Sequence, residues 1–199
     1  MTQAILHDLF VDQIRDIYDA EKQLTKALPK LAKAADSDEL TTALRDHLGE
    51  TEQQVARLEE VFGILGMTPK GKPCKGMKGL IEEGGESAEE EDKTLRDLGI
   101  IAGAQRVEHY EISAYGTART LAEQLGLSDA AKLLQETEDE EKNADSTLTT
   151  IAMKLYGSSS LEGASDEDAG NGRMPNARAK NGTKNGTKTM ASKSGARTR

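Results

Sequence analysis

A chain of 199 residues has room for one domain with its own core plus a tail. Aromatic residues make up 3% and Trp is absent. Ala, Leu, Glu and Lys dominate, a mixture that suits helices and offers little to a sheet. The net charge of −9 is uneven, because residues 170–199 carry eight basic groups and no acidic one, leaving −17 on residues 1–169. The acidic body fits cation handling or plain solubility, and Cys74, the only cysteine, excludes a disulfide framework and a CxxC metal site. No stretch reaches the roughly 18 apolar residues that span a bilayer, and the N-terminus MTQAILHDLF lacks the basic start of a secretory signal. The expected location is the cytoplasm.

The first helical pattern runs through Leu6, Phe10, Ile14, Ile17, Leu24, Leu28 and Leu31 at steps of three and four. Pro29 lies inside it and predicts a kink near Ala27–Leu28. Asp36 or Ser37 caps a second pattern carrying Leu40, Leu44, His47, Val55, Leu58, Phe62 and Leu65, which Gly66 ends. Residues 66–86 form a long connection, of the kind that carries a chain over a bundle to a further corner, with a short helix expected over Met77–Glu83. Ser87 with Glu90 reads as a capping box for a third pattern, from Leu95 through Ile100, Val107, Ala114, Ala118 and Leu121 to a stop at Gly126. Ser128 caps the fourth, with Leu134, Glu141, Leu148, Ile151 and Leu155, and Gly157 closes it. The reading is therefore an all-α bundle domain over residues 1–157. A basic, low-complexity tail expected to be disordered follows over 158–199, with a tandem Lys-Asn-Gly-Thr repeat at 180–187.

A shift of 90 residues lays Ile14, Ile17, Glu21, Leu24, Leu28 and Leu31 on Ala104, Val107, Glu111, Ala114, Ala118 and Leu121, and Leu44 on Leu134. Two helix pairs related by a pseudo-twofold axis follow, with Glu21 and Glu111 equivalent. Glu21 stands between Ile17 and Leu24, where the stripe calls for an apolar side chain, and Glu111 has the same status between Val107 and Ala114. Glu141 fills the slot between Leu134 and Leu148, and Glu50, with Gln53 or Gln54 a turn later, borders the second stripe. Four carboxylates in an apolar interior repel one another unless cations pair with them. Bundles that hold two metal ions draw a Glu from each helix and add a neutral ligand, a donor set that suits iron or manganese. Glu108 and His109 flank Glu111 as a ligand or supporting partner. His47 reads as a core histidine, Asp145 as a ligand-orienting or solvated residue, Cys74 as a buried inert thiol, and Gln105, Tyr18, Tyr110 and Tyr115 as packing or hydrogen-bonding groups.

Residues 5–156 resemble the YciE/YciF family of ferritin-like bacterial stress proteins. The matching stretches are Tyr18-Asp-Ala-Glu-Lys-Gln-Leu24, His47-Leu-Gly-Glu-Thr51, Lys72-Pro-Cys-Lys-Gly-Met-Lys-Gly-Leu80, Gln105-Arg-Val-Glu-His-Tyr-Glu-Ile112 and Glu140-Glu-Lys142. The resemblance implies a dimeric ferritin-like antiparallel four-helix bundle with a di-iron site and a ferroxidase or oxidative-stress role. It carries Glu21, Glu50, Glu108 or Glu111, and Glu141 over as ligands. Gly49 replaces an acidic residue common there, and Gln54 stands where a histidine is often found. The expected partners are two iron ions, or manganese, with O2 or peroxide as oxidant. A competing expectation is a non-enzymatic stress protein whose bundle is a scaffold and whose basic tail, with its charges over 170–199, binds nucleic acid or a partner.

Overall fold

The computed structural model describes residues 2–162, with side chains over 2–157, and among the described residues it contains five helices and no strand. Helices α1 (Gln3–Ala34) and α2 (Asp38–Ile64) form one hairpin, and α4 (Lys93–Gln124) and α5 (Ser128–Glu162) form a second. The crossover between them contains α3 (Lys75–Ser87). Both α1 and α4 are 32 residues long. Each helix of the first hairpin starts 90 residues before its counterpart in the second, so the internal repeat is a repeat of structure. The basic tail lies outside the described residues from position 163 onward.

Helix directions follow from the bonds between helices. Asp36 and Asp16 at and within α1 meet Asp97 and Tyr110 of α4, and Glu39 and Arg57 of α2 meet Lys154 and Glu140 of α5, so both pairs run antiparallel. With α1 antiparallel to α2 as well, α2 and α4 must run parallel. The crossover therefore has to travel the length of the bundle, which explains its length. The result is a ferritin-like antiparallel four-helix bundle with a long crossover carrying a short helix.

Local chemistry sets the helix ends. Ser37 caps α2, its Oγ accepting from Leu40 N at 3.4 Å. The buried Asp97 carboxylate accepts from Asp36 N and Ser37 N at 2.8 Å each, pinning the start of α2 from across the bundle. Gly66 and Gly126 take left-handed φ values of 66° and 73°. Met67 N then donates to Phe62 O and Leu127 N to Ala122 O, both at 2.9 Å, which closes each helix in a Schellman turn. The expected capping box at Ser87 and Glu90 is replaced: Ser87 is the last residue of α3, and Asp92 caps α4 by accepting from Leu95 N at 2.8 Å. An Asp carboxylate next to the helix start outcompetes the more distant serine. Helix α1 continues through Pro29, and α5 starts at Ser128 and runs past Gly157.

The crossover is clamped to the bundle. Lys72 N donates to Arg15 O at 3.0 Å, Cys74 N to Asp19 Oδ2 at 2.8 Å, and Gln23 Nε2 to Cys74 O at 3.0 Å. Helix α3 then lies directly on α4, where a Cβ on Gly103 would stand 2.9 Å from Gly84 Cα. Only glycine permits that approach. The short helix is longer than its pattern suggests because this contact extends its footing along α4.

Two apolar clusters fill the bundle. One holds Phe10, Ile14, Ile17, Leu58, Phe62 and Leu134; the other holds Leu24, Leu28, Leu40, Ile100, Val107 and Leu148. Each of the four long helices leaves one cluster and enters the other. The side chains at the crossing are polar and buried: Glu21 on α1, His47, Thr51 and Gln54 on α2, Glu108 and Glu111 on α4, and Glu141 on α5.

Candidate metal centre

The crossing layer brings carboxyl, imidazole and amide groups from four helices to one place. One ligand atom each from His47, Glu108, Glu111 and Glu141 lies within 4.8 Å of all the others. Glu21 joins them from α1, fully buried; its charge raises the Glu111 pKa, and the Glu141 charge raises its own. Glu108 and Glu111 sit one turn apart on α4. Both are buried because α4 is packed against α1, α3 and α5 at once.

The layer's donors do not match its acceptors. Tyr115 donates a short hydrogen bond to Glu21 Oε1, and Gln54 Nε2 donates to Glu141 Oε1 at 2.6 Å. Among the described residues, Glu21 Oε2, Gln54 Oε1, Glu108 Oε2, both oxygens of Glu111 and Glu141 Oε2 are buried with no donor. A buried carboxylate without a partner is costly and either takes up a proton or pairs with a cation. Burial first, and the Glu141 charge second, push Glu21 up to about 8. Burial likewise pushes Glu108 up to about 8. Glu111 and Glu141 rise well above the usual range, burial leading in both cases and neighbouring carboxylates adding to it. A proton shared between Glu21 and Glu111, or between Glu108 and Glu141, satisfies part of the layer, and a cation held among His47, Glu108, Glu111 and Glu141 would pair with more of it. Carboxylate oxygens with one imidazole are the hard, anionic donor set that iron(II) and manganese(II) take, so the residues fit such an ion.

His47 is aimed at this layer. Its Nδ1 lies 3.3 Å from Glu50 Oε2, and its Nε2 lies 3.5 Å from Glu108 Oε1 and 3.8 Å from Glu141 Oε2. Burial opposes the charged imidazole, but Glu50, Glu141 and Glu21 outweigh it and hold its pKa above the ordinary value. In the neutral ring, with Nδ1–H given to Glu50, Nε2 carries the lone pair, the arrangement in which a carboxylate orients a metal-binding histidine. Gln54 is held in the same manner. Its amide also donates to Glu140 Oε2 at 3.1 Å, and Arg57 grips Glu140 through two bonds of 2.6 Å.

Of the residues singled out from sequence, Glu21, Gln54, Glu108, Glu111 and Glu141 are brought together, and Glu108 and Glu111 both face the layer. Glu50 stands apart: its side chain is 47% exposed and reaches His47 rather than the cluster. His47 takes the inward place instead. The spacing alone could not choose between them, because residues three apart share a helix face and burial decides which one points in. Tyr115 hydrogen-bonds a cluster carboxylate, whereas Tyr18 bonds Glu59, Tyr110 bonds Asp16 and Gln105 bonds Asp145. His109 is solvent-exposed and sits beside Asp145. Cys74 is buried, its Sγ 2.9 Å from the Tyr110 hydroxyl, and burial pushes the thiol up.

The family described as a domain of unknown function, DUF892, matches residues 5–159. Protein YciF of Escherichia coli K12 is 47% identical over 155 residues, covering 77% of this chain and 93% of the relative. The crystal structure of that E. coli stress protein superposes with a TM-score of 0.74 over 76% of this chain and 97% of its own. YcfI of Rhodopseudomonas palustris, 46% identical, superposes with a TM-score of 0.71 over 73% of this chain and 93% of its own. A Xanthomonas campestris protein at 18% identity shares the fold, with a TM-score of 0.61 over 79% of this chain and 98% of its own. A match across residues 5–159, with near-half identity to YciF over the same span, makes this chain a member of the DUF892 family to which YciF belongs.

Proposed function

We propose that the chain is a di-metal carboxylate protein that binds two iron ions in the polar layer and works as a ferroxidase or peroxide-consuming oxidoreductase in a stress response. The observation that carries this reading is the set of buried acceptor oxygens on Glu21, Gln54, Glu108, Glu111 and Glu141 that no donor reaches. Four carboxylates from three helices neutralise two divalent ions, and Glu21 comes already oriented by the Tyr115 hydroxyl. Glu141 is positioned by Gln54, and His47 supplies the neutral ligand with Glu50 setting its tautomer. Bound iron supplies the redox couple that O2 or peroxide requires. Metal binding would displace the protons that burial holds on Glu21 and Glu108. YciF of E. coli is a stress protein, and this likeness supports the physiological setting. The protein is proposed to act as a homodimer.

Anaerobic titration of the full chain with Fe(II), followed by admission of air, is expected to raise near-ultraviolet absorbance to a plateau at two irons per chain. The same titration with Glu21→Ala and Glu141→Ala should lose that plateau. An unchanged signal in both variants refutes the assignment, and metal content after expression decides between iron and manganese.

A further inference from the structure

Two cavities, one chiefly aliphatic within and one of mixed lining, reach the same two residues, His47 and Glu108. The larger, of about 540 Å³, opens between α1 and α3 and extends inward along α4 to His47 and Glu108. Its walls are Leu24, Leu28, Leu80, Ile81, Ala104 and Val107, and its only buried polar side chains are those two. Charged side chains such as Lys30, Glu86 and Glu89 stand towards its rim. The smaller cavity, of about 220 Å³, lies between α2 and α5 and meets His47 and Glu108 from the other side, past Asp46, Glu50 and Asn143.

A hydrated cation gains nothing from an aliphatic passage and loses water to enter one, whereas the acidic border of the smaller cavity attracts it. Metal entry therefore does not account for the larger pocket. Dioxygen or peroxide alone does not require that volume either, given that a water molecule occupies about 30 Å³ of liquid. An apolar pocket within the roughly 300–1,000 Å³ range of small-molecule sites, with a few convergent polar groups at one end, has the form of an organic ligand site. Gly84, Gly85 and Gly103 also line it, and the close Gly84–Gly103 approach seats α3 on α4 as one wall. Glu108, 2% exposed and with one oxygen lacking any donor, closes its inner end.

We propose that this pocket binds an uncharged organic molecule with an apolar body along the aliphatic walls and a polar end against His47 and Glu108, beside the metal centre. The adjacency to a metal rests on the function proposed above; the pocket's own binding does not. An organic substrate seated there meets the centre from the α1/α3 side while ions use the α2/α5 side.

The test uses the full chain and two probes. Titration with N-phenyl-1-naphthylamine, a neutral fluorophore, is expected to give saturable, blue-shifted emission at one site per chain, displaced by octan-1-ol. Ala104→Phe fills the pocket and Leu80→Asp places a charge in its wall; each should weaken binding at least tenfold. Circular dichroism identifies which variants remain folded, and loss of affinity in either folded variant supports the site. In parallel, Co(II) is bound to the chain and its visible spectrum is followed as octan-1-ol is added. A shift of the Co(II) bands that the Leu80→Asp chain does not show places the alcohol beside the metal. Should Co(II) fail to bind, the metal reading falls while fluorophore binding still decides the pocket. Failure of the fluorophore to saturate, or equal affinity in wild type and both variants, overturns the proposal and leaves the metal reading standing.

Discussion

Replacing Glu111 by Leu gives opposite results depending on whether the layer is built for cations. Glu111 is 1% exposed and neither of its oxygens has a donor beyond a proton shared with Glu21, so in the metal-free protein it is an imperfectly satisfied buried acid. Burial holds Glu111 protonated, and replacing an unsatisfied buried polar group by an apolar one of similar volume removes a desolvation cost of about 1–3 kcal/mol. A domain of this size shifts Tm by about 2–4 °C per kcal/mol, so metal-free Glu111→Leu should melt roughly 4–8 °C above wild type for a gain near 2 kcal/mol. Metal should do the reverse. At a hundredfold excess over Kd a bound ion adds about 2.7 kcal/mol, which raises the wild-type Tm by roughly 5–11 °C. The variant should show little of that rise. Differential scanning calorimetry of both proteins, in chelator and in anaerobic Fe(II) or Mn(II), measures all four values. A metal-free variant that melts below wild type, together with a wild type indifferent to metal, refutes the reading of the layer as a cation site.

The metal-free protein should lose stability as pH rises. Glu21 and Glu108 have folded pKa values near 8, above their unfolded values, so their stabilising contribution is complete below about 4.5 and fades as pH rises towards 8; His47, also raised, acts in the same direction. Urea midpoints at pH 5 and pH 8 in chelator should fall accordingly, and a midpoint that rises with pH contradicts the shifts. Glu50→Gln removes the group that orients His47 while leaving the cluster intact, so isothermal titration should show metal affinity about 10–100-fold weaker at unchanged stoichiometry. Gly103→Ala forces its Cβ to within 2.9 Å of Gly84 Cα, and the displaced α3 should cost about 1–3 kcal/mol in a denaturant melt.

Much of the architecture is legible in the sequence because it is written twice. The 90-residue repeat in the stripes around Glu21 and Glu111 corresponds to two hairpins whose helices start 90 residues apart. Gly66 and Gly126 stop their helices for the reason their residue type implies. The choice between Glu108 and Glu111 on the third long helix stays open in sequence because a stripe assumes one buried face, and α4 is buried on several. Residue spacing equally cannot assign inward and outward roles to His47 and Glu50. That choice depends on how α2 is rotated against α4 and α5, and a single helix does not encode its own rotation. The start of α4 is ambiguous because Ser87 and Asp92 both suit a cap, and only the packing of α3 along α4 shows that the helix before it reaches Ser87.

The division of the core into two apolar clusters with a charged layer between them has an electrical consequence. Hydrocarbon above and below acts as a pair of insulating plates, and the field of the carboxylates spreads mainly sideways, through the gaps between helices. An ion approaching along the bundle axis meets a barrier on either end, whereas one approaching laterally at the height of Glu50 and Asp46 meets an attractive potential. The bundle thus behaves as a capacitor that can be charged only at its rim. Any ion bound in the layer would have to enter through one belt of the surface, at the height of Glu50 and Asp46.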